Sequence, residues 1–252
     1  KLYFAQQPSR SFRNSTVIAV NYTLHPNGAC SDMVNDVSKA ISWTKTFMMQ
    51  RSKEKVPLIL VGHSAGAHIC ALTVVKKALD EARLQTETIC CCDSWSCSDL
   101  SSLVGLSGVY HISDHFEHEA MRGVSEVSPM CGRKKNLFTT AGLADPVMGR
   151  ERSDWDLHSP SKLLEDLQGE EAFRVASCLP PTLLLHGSDD LVVPVSSSFR
   201  FLSALKSIKH KPCELRYLAG CNHSLGIYED VGSASKFWAE VIAQDVLQSG
   251  RR

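Results

Sequence analysis

An excess of one charge is what this sequence most plainly lacks. Its 27 Lys and Arg are matched by 27 Asp and Glu over 252 residues, and no stretch gathers basic residues with aromatics. Nucleic acid is therefore not an expected partner, because phosphate binding needs a concentrated basic surface. Long apolar runs are also missing: no window reaches the roughly 20 residues needed to cross a bilayer, and no signal-peptide pattern opens the chain. Internal repeats, low-complexity linkers and paired Cys-x-x-Cys spacings are absent as well. Neither a metal nor a cofactor is expected. What is present is 43% hydrophobic content, enough for a chain of this length to bury a core as one domain.

The 10 cysteines are scattered. Cys70 and Cys213 fall on segments that should be buried, which suits reduced, structural thiols in a cytosol-facing protein. Only Cys90, Cys91 and Cys92, with Cys97, are clustered. They lie in a polar loop and read as surface variation rather than a metal site.

The chain is organised around Val61-Gly62-His63-Ser64-Ala65-Gly66-Ala67-His68, which follows the apolar run 56–60 and opens a helix-compatible stretch. Strand, sharp turn and helix around Gly-x-Ser-x-Gly read as a nucleophile elbow, tight enough to call for Gly62 and Gly66 on either side of Ser64. Two more strands end in chemically capable loops. Residues 182–187 lead to Asp189 and Asp190, and residues 213–218 lead to His223. Ser, Asp and His in that order, each after a strand, is the chain order of an α/β-hydrolase triad.

The remaining pattern is consistent with that fold. Residues 15–22 are β-branched and apolar on both faces, as expected of a central parallel strand. A helix from Asp32 shows a buried face of Met33, Val37, Ala40, Ile41, Thr44, Phe47 and Met48. After strand 56–61 a helix runs to about Arg83, residues 84–99 read as a loop, and 100–106 is a buried strand. The alternation then lapses over about 109–180, where a lid over the active site is expected. A helix over about 195–209 and a last one over about 228–247 complete the expectation: a single domain over 1–252, with a mostly parallel sheet and helices on both faces.

Ser64 needs a base, for which His223 is the candidate, and His223 needs a carboxylate on its other ring nitrogen. Asp190 is preferred over Asp189, which is expected to hydrogen-bond the turn. His63 is set aside as a rival base because it neighbours Ser64 on a tight turn. The Ala65 N–H is one oxyanion donor; the second normally comes from a Gly-rich loop after an earlier strand, and no such loop lies between Lys1 and Ser15. His111, His115 and His118 would share one face of a helix. A lid helix lining the acyl or leaving-group pocket, with His115 toward substrate, is preferred there to a metal site.

Tyr22-Thr23-Leu24-His25-Pro26, Ser31-Asp32-Met33-Val34 with Asp36, the elbow through Ile69, Leu106-Ser107-Gly108-Val109-Tyr110, Asp114-His115-Phe116, and Leu179-Pro180-Pro181 leading to His186-Gly187-Ser188-Asp189-Asp190 together resemble prenylcysteine methylesterases. These are α/β-hydrolases related to hormone-sensitive-lipase-like and BD-FAE-like esterases. The resemblance implies Ser64 as nucleophile, Asp190 as acid and His223 as base, hydrolysing the methyl ester of a C-terminal S-prenylcysteine or a similar apolar ester, on a small-molecule or prenylated-peptide substrate. It also implies an apolar groove under the lid and an endoplasmic reticulum or Golgi setting reached through an N-terminal segment that this sequence does not contain. In the family, a strand and Gly-Gly loop precede the counterpart of 15–22 and complete the oxyanion hole. Their lack here, with a start at Lys1, leads us to expect a fragment of a longer reading frame lacking N-terminal strands. Kynurenine formamidases carry an almost identical elbow, so an arylformamidase is the alternative. A hydrolase-fold binding protein without catalysis is another.

Overall fold

The computed structural model describes residues 2–5, 16–52, 56–84, 95–125, 128, 130, 147–149 and 151–224. The Cys90–Cys92 run and the last expected helix lie outside these residues, as do parts of the 109–180 segment.

Four strands form one parallel sheet in the order β3-β4-β5-β6: β3 (Leu58–His63), β4 (Leu100–Leu106), β5 (Thr182–Gly187) and β6 (Cys213–Leu218). The central pair are continuous apolar runs because both of their faces are covered. Successive side chains point to opposite faces, so Leu103 and Leu184 enter a large core, while Val104, Leu106, Leu183 and Leu185 pack together on the other face with Ile59, Leu218 and Cys221.

The large core is built from helices. The first, α1 (Cys30–Met49), starts two residues earlier than its pattern suggests and buries Cys30, Met33, Val37, Ala40, Ile41 and Thr44. The second, α2 (Ala65–Leu84), is buried along most of its length, as befits a helix packed between the sheet and other helices. Between β4 and β5 come α3 (Ile112–Met121), α4 (Arg152–Leu157), α5 (Pro160–Glu165) and α6 (Gly169–Cys178); α7 (Ser196–Ser207) joins β5 to β6. Leu164, Ala172, Val175 and Leu179 belong to the same core as α2 and α7. The C-terminal part of the 109–180 excursion therefore packs into the core beside α2 and α7.

One expectation is overturned. Residues 15–22 do not supply a central parallel strand: β2 (Val17–Val20) pairs antiparallel with β1 (Leu2–Ala5), a strand the sequence reading missed, in a separate two-stranded sheet. Val17 and Val20 are 45% and 36% exposed. A β-branched apolar run specifies extended backbone, but not which edge it will pair with. Among the described residues no strand pairs with the outer edge of β3.

Several segments singled out in the sequence act as anchors. The Asp36 carboxylate accepts from Thr23 N–H at 2.9 Å and from its hydroxyl at 2.7 Å, fixing the 22–26 loop to α1. Ser197 Oγ accepts from Tyr110 N–H and donates to the Gly108 carbonyl, holding the 107–110 turn against α7. Arg200 of α7 is bidentate to both Asp114 and Glu165, tying α3 and α5 together. That explains Asp114 in Asp-His-Phe as an ion-pair partner. Cys70 is buried, and its thiol is pushed up to about 12 by desolvation, which suits an inert structural role. Cys213, expected to be buried, is only half-buried, because its β6 residues sit at the edge of the described sheet. Among the described residues no helix is long and apolar enough to cross a membrane.

Candidate active site

Ser64 sits between the end of β3 and the first residue of α2, with φ of +53°. A left-handed backbone is costly for a residue with a Cβ, and here the surroundings hold it in place. Ser64 N–H donates to the Leu106 carbonyl of the neighbouring strand at 2.8 Å, and its own carbonyl accepts from His68 N–H. The two elbow glycines differ. A Cβ at Gly62 would lie 2.5 Å from the Gly66 carbonyl oxygen, so glycine is required there, whereas a Cβ at Gly66 would meet nothing within 4 Å. The expected steric demand on Gly66 is thus corrected: its Cα faces open space at the mouth of the turn. Ala65 opens α2, where a backbone N–H has no acceptor within the helix.

His223 lies in the loop after β6. Its Nε2 accepts from Ser64 Oγ at 2.9 Å, and its Nδ1–H donates to Asp190 Oδ2 at 2.8 Å. One neutral tautomer satisfies both bonds. The three residues come from three strand ends, and 159 residues separate the serine from the histidine.

Asp190 is buried and collects donors on both oxygens. Oδ1 accepts from Val192 and Val193 N–H, each at 2.9 Å, and Oδ2 faces the Nε2 of His186 at 3.3 Å as well as His223. Burial alone would raise its pKa. The hydrogen bonds from His186, His223 and Val193 outweigh that and hold the carboxyl well below the usual carboxylate range. His186 is the residue that sequence reasoning missed. It is fully buried, accepts from Ser198 Oγ–H at 2.7 Å on Nδ1, and donates from Nε2 to the Val193 carbonyl at 2.9 Å. The one available hint was its place at the end of an apolar strand, where a polar side chain must find partners. Asp189, by contrast, is exposed and bonded to the Ser188 hydroxyl.

The Asp190 and His223 loops are locked together. Asp189 N–H donates to the Cys221 carbonyl, Gly220 N–H donates to Ser188 Oγ, and a Cβ at Gly187 would lie 2.2 Å from the Cys221 carbonyl oxygen. Helix α3 reaches the same region, where His118 donates to the Leu191 carbonyl and Arg122 to that of Val192.

The three histidines of the α3 region do not act as a set. His111 caps the helix by accepting Asp114 N–H, His118 turns outward to Leu191, and His115 is buried beside Glu119. Among the described residues no group of three or more His, Cys, Asp or Glu is placed to hold a metal. Among the described residues His115 makes no hydrogen bond to Ser64, Asp190 or His223, and its Nδ1 meets no hydrogen-bond partner.

His68, one turn after Ser64, is completely buried, and its Nε2–H donates to the His158 carbonyl at 2.7 Å. Desolvation lowers its pKa from 6.5 to about 4. In the unfolded chain it gains a proton below pH 6.5, while the folded protein stays neutral down to about 4. Stability is therefore complete above pH 6.5 and falls as the pH drops toward 4, by roughly 3 kcal/mol from this residue. Burial also lowers His63, His111, His158 and His210, which act in the same direction. Denaturant unfolding at pH 7, 5.5 and 4.5 should show this decline, with a shallower slope in His68→Gln; equal midpoints at all three would contradict it.

A family model described as alpha/beta hydrolase fold matches residues 11–226. An isoprenylcysteine alpha-carbonyl methylesterase of Arabidopsis thaliana is 30% identical over 217 residues, covering 84% of this chain and 44% of that protein. A kynurenine formamidase of Aspergillus versicolor is 26% identical over 202 residues, covering 77% of this chain and 63% of that protein. Among solved structures, an acetyl ester-xyloside bifunctional hydrolase from Caldicellulosiruptor lactoaceticus superposes with a TM-score of 0.62 at 22% identity, over 93% of this chain and 72% of that one. The chain spans under half the length of the methylesterases it matches.

Proposed function

The chain belongs to the alpha/beta hydrolase family, and from that premise we propose that it is a serine carboxylesterase with Ser64 as nucleophile, His223 as general base and acid, and Asp190 as the carboxylate that orients the base. The observation carrying this reading is the unbroken line from Ser64 Oγ through His223 to Asp190, with bonds of 2.9 and 2.8 Å.

The chemistry follows from the donors and acceptors. As Ser64 Oγ attacks the ester carbonyl carbon, its proton passes to His223 Nε2, and the imidazolium that forms is stabilised by the ionised Asp190. The carbonyl oxygen becomes an oxyanion, for which the free Ala65 N–H at the positive end of α2 is a donor. Collapse breaks the bond to the alkoxy oxygen, which leaves as an alcohol with the proton from His223. Water, deprotonated by the same imidazole, then attacks the acyl-enzyme and releases the carboxylate and Ser64.

We further propose that the ester is the methyl ester of an S-prenylcysteine or a similarly apolar acid. The Arabidopsis relative supports this choice. So does the apolar surface beside the acid loop: Leu191 is 78% and Met121 81% exposed, and α3 is bonded to that loop through His118 and Arg122. In this reading α3 and the residues after it form the part of the 109–180 segment that borders the substrate. Rates on S-farnesylcysteine methyl ester, an unprenylated cysteine methyl ester and N-formylkynurenine decide the matter. The prenylated ester should exceed the unprenylated one by at least about 10-fold in kcat/KM. Preference for N-formylkynurenine would make the protein a formamidase, and turnover of none of the three would leave a binding protein.

A further inference from the structure

We infer that His63, the residue before the nucleophile, is a positioning residue that tethers the base: its Nε2–H donates to the backbone carbonyl of His223 at 2.8 Å. This rests on the esterase reading above and adds to it the device that carries His223 across the sheet.

The need for such a device comes from topology. Ser64 follows β3 and His223 follows β6, and these strands occupy opposite edges of the four-stranded sheet. The His223 loop must therefore extend over the ends of β5 and β4 to reach the serine. Its other bonds run to the near side: Cys221 and Gly220 are held by Asp189 and Ser188, in the loop after β5. Among the described residues, two hydrogen bonds join the loop to the β3 side, Ser64 Oγ to His223 Nε2 and His63 Nε2 to the His223 carbonyl. The first is given up each time the serine reacts. The second involves no reacting atom and persists through the cycle.

Geometry fixes the role of each group. A carbonyl only accepts, so His63 carries its proton on Nε2. Its ring also lies against that of His223, with centroids 5.0 Å apart and planes at 43°, which restricts rotation of the base. Desolvation lowers the His63 pKa, so the ring stays neutral and places no cation beside the imidazolium that forms during acyl transfer. His63 is therefore not a rival base. Its effect is on where His223 Nε2 sits, and displacement of a reacting group by about 1 Å costs on the order of 100-fold in rate.

The test compares His63→Phe, which keeps a ring but has no donor, with His63→Gln, which restores an N–H. In ester hydrolysis, kcat of the Phe variant should fall by about 10- to 100-fold with KM changed less than about 2-fold, and the Gln variant should recover to within about 3-fold of wild type. Equal kcat in wild type and His63→Phe, or a Gln variant no better than the Phe one, would overturn the inference. A second reading needs no substrate. The His223 Nδ1 proton bonded to Asp190 should give a far-downfield proton resonance in wild type and in His63→Gln, broadened by solvent exchange in His63→Phe. If no ester is turned over by wild type, the esterase reading falls while this resonance still decides the tether; an unchanged resonance in His63→Phe would sink it.

Discussion

Ser64→Ala is expected to lower ester turnover by on the order of 10⁵- to 10⁶-fold and to abolish labelling by a fluorophosphonate probe. The reason is that the Ser64 hydroxyl is the group aligned on His223 Nε2, at 2.9 Å; no other hydroxyl or thiol bonds to that nitrogen among the described residues. What survives should be the modest acceleration available from binding and from the Ala65 N–H. The substitution keeps the left-handed Cα at position 64 and removes one oxygen, so the folded state should persist. Thermal unfolding alongside the labelling checks this. A variant that still labels, or keeps more than about 1% of turnover, would remove Ser64 from the proposed role.

Asp190→Asn should cost about 10⁴-fold in kcat, and the cause is a mismatch of donors. Four groups donate to or face this carboxylate: the backbone N–H groups of Val192 and Val193, and the ring nitrogens of His223 and His186. A carboxylate accepts from all of them. An asparagine must present its own NH₂ to one pair. Facing the rings, it drives His223 toward the tautomer with the proton on Nε2, which cannot take a proton from Ser64. Facing the backbone pair, it leaves buried donors unpaired, which costs stability. The predicted signature is therefore a large fall in kcat, little change in KM and a lowered unfolding midpoint. Activity within about 10-fold of wild type would show that His223 is oriented by something other than this carboxylate.

Local features were well marked in the chain. The limits of β4, β5 and β6 match the sequence expectation because apolar or alternating runs are bounded by glycine or proline there, and β3 is displaced by only two residues. The buried face of α1 followed from its three- and four-residue spacing. Ser64, Asp190 and His223 could be picked out because each stands just beyond a strand, in an order that the elbow makes meaningful, and the fold brings them into one hydrogen-bonded line.

Other features were settled only when distant segments met. Residues 17–20 had the composition of a core strand and pair instead with residues 2–5, because strand propensity does not choose an edge. The 109–180 segment lacked a regular pattern, and still α5 and α6 join the main core through a few residues such as Leu164 and Val175. His186 and His63 carried no signal of their own, since a histidine's type does not say which carbonyl or carboxylate will lie beside it. Sequence by itself determined β3 to β6, α1, α2, α7 and the order of the reactive residues, because backbone preference and apolar periodicity are properties of neighbours along the chain. Tertiary structure alone decided strand pairing, the donors around Asp190 and the tether on His223, because those depend on which groups far apart in sequence are left facing one another when both faces of the sheet are covered.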